Sequence, residues 1–186
     1  MGDQNQSETG IWGFTIYRTY YGVGSDRQWE NLIATARRGV LAKLIEVVGE
    51  QNRDETEEVA SWFYLDARSD IDLLDGVDFQ TTRKLYNNQT GTHLPVDGVH
   101  VFLIADEEAL GSADKGRYFL KAVDADASGL ETENDDGTEE PKYWGWMRIG
   151  SDQLQELWGI NPRYNMLWAV NEAELHELVW EGNSGR

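Results

Sequence analysis

Short apolar runs and amphipathic stretches succeed one another along the chain, and their order predicts a mixture of strands and helices. The first run, Ile11-Trp12-Gly13-Phe14-Thr15-Ile16-Tyr17-Arg18-Thr19, is aromatic and β-branched and predicts a strand with Trp12, Phe14 and Ile16 on one face. A glycine-punctuated turn over residues 20–24 follows. Ser25 and Gln28 then have the spacing of a capping box, in which the hydroxyl accepts an orphan N–H and the amide reaches back. Trp29, Leu32, Ile33, Ala36, Val40, Leu44 and Val47 form one helical stripe behind it. Gly39 interrupts the stripe and predicts a kink or a division, because glycine costs about 1 kcal/mol relative to alanine inside a helix.

Residues 50–58 are polar and charged and fit either a loop or the opening turns of a helix. Residues 62–65 are aromatic enough for a strand. The acidic stretch 66–78 turns at Asp75-Gly76, and Asp78 is placed to cap a helix running from Phe79 to Asn88. Residues 91–98 contain Pro95 and predict a loop, whereas 99–105 is the most apolar run and predicts a central strand, followed by a helical turn at 106–110. Residues 118–123 and 143–149 predict two further strands. Gly150-Ser151-Asp152 caps a short helix through Trp158, which Asn161-Pro162 ends. Residues 166–170 predict a strand, and Asn171 with Glu174 opens a helix to Trp180. The Trp-Gly pairs at 12–13 and 144–145 each precede a Gly-Ser-Asp helix start, an echo that would suit duplicated strand–helix units.

These patterns predict an α+β fold: a mostly antiparallel sheet of roughly four to six strands with helices packed on one face, in a ferredoxin-like arrangement. Residues 1–10 predict a mobile tail and 11–181 a single domain, with a flexible acidic loop at 124–141. Length agrees, since 186 residues close a core without staples. With no cysteine there is no disulfide, thiol nucleophile or cysteine metal site, and three histidines leave little for a histidine metal centre. The 34 acidic against 16 basic residues give a net charge of −18, which opposes nucleic-acid and anionic-membrane binding and favours a basic protein partner. Eight of those acids fall between residues 124 and 140 without a Lys or Arg among them, so part of the imbalance belongs to one solvated segment. No apolar run approaches the about 20 residues of a membrane span, and the polar start lacks a secretory pattern, so a cytoplasmic protein is expected.

Four blocks add a resemblance. Trp12-Gly13-Phe14-Thr15-Ile16-Tyr17-Arg18-Thr19-Tyr20, Leu73-Leu74-Asp75-Gly76, Ala105-Asp106-Glu107-Glu108-Ala109-Leu110 and Trp144-Gly145-Trp146-Met147 together resemble a group of uncharacterised proteins from filamentous fungi. The resemblance spans residues 11 to 158 or so and weakens after Asn161. It implies an intracellular eukaryotic protein and carries no activity, cofactor or catalytic residue with it.

Three constellations could hold chemistry. Asp124, Asp126, Ser128 and Asp135 have the spacing of oxygen ligands in a calcium loop, although Glu131 stands where such a loop has an apolar residue and a strand precedes it in place of a helix. An acid/base cleft over the sheet would draw on Arg18, Asp66 and His100, with Tyr17 and Arg148 nearby. Asp66 also belongs to a run of aspartates whose ordinary work is turns and caps. Trp158, Tyr164, Trp168 and Trp180 would form an aromatic partner-binding patch, or pack onto the sheet. No nucleotide, hydrolase or zinc motif is present and no cofactor is implied. The leading expectation is a non-enzymatic protein-interaction module, the alternative a small-molecule acid/base enzyme, and the third a calcium-binding module.

Overall fold

The strand β1 (Trp12–Arg18) is buried along its whole length, on both faces, in a computed structural model that describes residues 11–49, 52–88, 100–127, 145–159 and 179–180. Such a run needs a neighbour on each edge and a layer on each side, and the rest of the chain supplies them. The helices α1 (Ser25–Val48) and α2 (Arg53–Ser61) lead to β2 (Phe63–Arg68), which lies parallel to β1. Two shorter helices, α3 (Ile71–Leu74) and α4 (Phe79–Asn87), precede β3 (Val101–Ala105), which lies parallel to β1 on its other edge. After α5 (Glu107–Ala113), β4 (Phe119–Asp124) and β5 (Trp146–Gly150) continue the sheet antiparallel. Beyond α6 (Leu154–Gly159), β6 (Val179–Trp180) closes the far edge parallel to β5.

The order is therefore β2-β1-β3-β4-β5-β6. The α+β class stands, but the sheet is mixed and not mostly antiparallel. The reason is connectivity: parallel neighbours need a crossover long enough to hold a helix, and the chain provides one between β1 and β2 and another between β2 and β3. Nor do the helices share one face. Phe14, Ile16 and Leu103 pack with Leu32, Ala36 and Val40 of α1 and with Leu154 and Leu157 of α6, while Tyr17, Phe102 and Ile104 pack with Leu74, Phe79, Leu85 and Tyr86 of α3 and α4. A ferredoxin-like repeat does not describe this. The two Trp-Gly units are not equivalent, since β1 is parallel to both neighbours and β5 is antiparallel to β4.

Local expectations fare unevenly. Asp78 caps α4 by accepting a 2.7 Å bond from the Thr81 N–H, and Asp106 accepts from the Ala109 N–H to cap α5. The capping box at Ser25 does not form. Gly24, in a left-handed conformation, takes the cap position of α1; the Ser25 hydroxyl donates to the Gly22 carbonyl and the Gln28 amide to Asp114. Val179 and Trp180 form a strand and not a helix end, because they find the edge of β5. The tail 1–10, most of the 124–141 segment and the elements expected at 166–178 lie outside the described residues. No helix among the described residues is long and apolar enough to cross a membrane.

Gly39 neither divides nor ends α1, which runs unbroken to Val48. A Cβ there would run into the backbone of Asp152, so the glycine permits the turn before α6 to lie against the helix. Helix propensity alone makes Gly39→Ala stabilising by about 1 kcal/mol. The close approach reverses the sign, and urea denaturation should show Gly39→Ala less stable by about 1–3 kcal/mol.

Candidate functional site

Because β1, β2 and β3 run parallel, the chain leaves all three at the same end of the sheet, and the crossovers depart on opposite faces, which opens a crevice between them. The segments are bolted together by backbone bonds. The Thr19 N–H donates to the Ala105 carbonyl and the Gly76 N–H to the Thr19 carbonyl, each at 3.0 Å. A crevice of about 600 Å³ remains, lined by Thr19, Tyr20, Val77, Asp106 and Glu107 among others.

Arg18, 4% exposed, organises this rim. Its guanidinium donates to the Tyr20 carbonyl at 3.1 Å, to Ser25 Oγ at 2.7 Å, to Asp26 at 2.6 Å and to Ser69 Oγ at 3.4 Å. The same group lies 4.3 Å from the centre of the Tyr21 ring. One buried cation thus ties the loop after β1, the start of α1 and the loop after β2. Burial pushes the Tyr21 phenol above its ordinary pKa.

What the rim presents outward is apolar. Val23 is fully exposed, and Ile71 and Leu73 are 55% and 45% exposed. The local cause is the cap of α3: Asp70 accepts from the N–H groups of Asp72 and Leu73, which turns Leu74 into the core and leaves Ile71 and Leu73 outside. Around them stand the exposed carboxylates Asp26, Asp70, Asp72 and Asp75.

Beside the crevice lies a charged network. Lys121, side chain 9% exposed, donates to Asp106 at 2.5 Å and to Glu108 at 2.8 Å, and Arg148 meets Glu108 at 2.8 Å. Both cations also face Trp146, at 5.2 Å and 5.7 Å from its ring centre. Burial alone would raise the pKa of Glu108, but hydrogen bonds and charge from Lys121 and Arg148 hold it below the usual carboxylate range. The network anchors the beginning of α5 to β4 and β5.

The residues proposed for an acid/base cleft are not brought together. Arg18 is level with Ala105 at one end of the β1–β3 pair, and His100 precedes the other end of β3, about 16 Å along at strand spacing. His100 Nδ1 is 2.8 Å from Asp126. Asp66 is level with Thr15, on the face opposite the α1 layer, and accepts from Arg68 at 2.9 Å. On that face burial is the largest influence on the Tyr17 and Tyr86 phenols, which are pushed up to about 12.

Of the calcium candidates, Ser128 and Asp135 lie outside the described residues. Asp124 and Asp126 are close, but in a turn where the Asp126 N–H donates to Asp124. No cluster of three or more potential metal ligands occurs among the described residues. Of the aromatic candidates, Trp158 packs on Trp12 and Phe14 at 6.0 Å and 5.6 Å, and Trp180 is 8% exposed in the core. They pack onto the sheet and not into an outward patch; Tyr164 and Trp168 lie outside the described residues.

Sequence reasoning missed Val23, Ile71 and Leu73. The signal was there, as apolar residues set among turn formers and aspartates with no helical stripe to bury them. Comparison with known proteins finds no matching family model, no matching curated protein and no matching solved structure.

Proposed function

We propose that this chain is a protein-interaction module whose rim binds a basic, amphipathic segment of another protein. The observation that carries the reading is the apolar group Val23, Ile71 and Leu73, exposed on loops after adjacent strands and ringed by Asp26, Asp70, Asp72 and Asp75. Exposed apolar side chains within a charged border are characteristic of docking surfaces. The sign of the border selects the occupant: an apolar contact flanked by Lys or Arg gains attraction, and an acidic one is repelled. The net charge of −18 acts in the same direction at longer range and would speed encounter with a basic partner at low salt. A cytoplasmic setting, and kinship with the fungal group, belong to the same proposal. The acid/base reading has less support, because Arg18 is engaged in holding the rim together and His100 is remote from it.

Synthetic peptides carrying a few aliphatic residues between lysines or arginines provide the test, followed by fluorescence anisotropy with the full chain. Binding should be saturable at low salt, weaken at high salt and disappear for peptides with glutamate in place of the basic residues. The double variant Ile71→Asp, Leu73→Asp, made at exposed positions, should weaken binding at least about tenfold. No binding by any basic peptide at low salt, or binding indifferent to that double variant, overturns the proposal.

A further inference from the structure

A second and larger cleft, of about 910 Å³, opens on the other flank of α5, between that helix, the turn leading into β4 and the turn leading from β5 into α6. Its size is that of a small-molecule site. Its walls are fixed. The Ser112 carbonyl accepts from the N–H groups of both Lys115 and Arg117, the Ser112 hydroxyl lies 2.7 Å from the Arg117 carbonyl, and the Ser151 N–H donates to the Tyr118 carbonyl.

Two features of this cleft are unaccounted for by the fold. Lys115 and Arg117 are exposed at its border and form no ion pair among the described residues. That is unusual in a chain with a twofold excess of acids, where Arg27, Lys43, Arg68, Lys121 and Arg148 all have carboxylate partners. Across from them Gln153 lines the cleft at 5% exposure, and its Oε1 is buried without a hydrogen-bond partner. A buried acceptor left unpaired is costly, and a ligand donor would remove that cost. Asp152, exposed beside it, makes the same end of the cleft negative.

From these features we infer that the cleft binds a small amino-carboxylate, a free amino acid or a compound of that class. Its carboxylate is held by Lys115 and Arg117 through charge-assisted hydrogen bonds. Its ammonium donates to Gln153 Oε1 in the field of Asp152. Cations at one end and an acceptor with a carboxylate at the other match a zwitterion and discriminate against a plain dianion. The site is separate from the rim, and a partner could occupy one while the ligand occupies the other.

The test is calorimetric titration of the full chain with a panel of free amino acids, with the corresponding hydroxy acids and with simple amines as separate arms. At least one amino acid should bind saturably, its hydroxy analogue more weakly, and the amine lacking a carboxylate not at all. Lys115→Ala with Arg117→Ala, at exposed positions, should lower affinity about tenfold or more. Gln153→Leu keeps the volume and removes the acceptor, and should weaken the amino acid more than the hydroxy acid. Thermal melting of each variant separates loss of binding from loss of fold. No saturable binding by any amino acid, or affinity unchanged in the folded double variant, overturns the inference.

Discussion

Replacing Arg18 with methionine should lower the unfolding free energy by about 3 kcal/mol or more, although the substitution keeps the apolar stem of the side chain. The magnitude follows from what the guanidinium leaves behind. Ser25 Oγ, the Tyr20 carbonyl and Ser69 Oγ all lose a donor, and the group itself is almost wholly enclosed. The ion pair with Asp26 contributes little of this, because that carboxylate is 89% exposed and solvent screens it. Asp26→Ala is therefore expected to cost at most about 1 kcal/mol. Urea denaturation of the two variants checks the contrast. If Arg18→Met matched Asp26→Ala, the buried hydrogen bonds would not be what holds the rim, and its loops would need another anchor.

The second large effect is expected at Gly13. This residue sits inside β1 with φ +139°, a conformation that side-chain-bearing residues rarely adopt. An added Cβ would overlap the backbone carbonyl of Tyr64 on the neighbouring strand, and neither backbone can yield without breaking the parallel ladder. Gly13→Ala should destabilise the protein by about 3 kcal/mol or more, the sum of backbone strain and overpacking. The damage would be directional: hydrogen exchange should rise first along β2, the outer strand, while β3 to β5 stay protected. Uniform loss of protection across the sheet would show that β2 does not open on its own.

How much of this was legible in the sequence depends on whether the cause was local. Asp78 and Asp106 announce α4 and α5 because a capping carboxylate acts over a single turn. The runs that became β1 and β3 were legible as strands, and their lack of alternation also contained the clue to burial on both faces. Strand direction was not legible, because periodicity in β1 says nothing of whether Phe63 or Leu103 will lie beside it. Ser25 shows the same limit at smaller scale: its hydroxyl matches a capping pattern, yet Arg18 and Gly22 are the partners that packing delivers. Arg18 was legible as a residue of interest and not as an anchor, since its partners come from three separate segments. The separation of Arg18 from His100 likewise depends on strand direction, which one sequence cannot supply.

The place of β1 in the sheet also bears on how the chain reaches its native state. It is the first strand to leave the ribosome and lies in the interior of the sheet, with edges that wait for β2 and, much later, β3. Until Leu103 emerges, an entirely apolar segment containing Trp12, Phe14 and Ile16 has only one native neighbour to pair with. Such non-local, parallel pairing is intrinsically slow and leaves a hydrophobic edge exposed during synthesis. The antiparallel β3–β4–β5 segment closes over shorter stretches of chain and can assemble as a template onto which the N-terminal strands dock. The yield of native protein in the cell should then depend less on final stability than on how well that early strand is shielded while its partner is still being made.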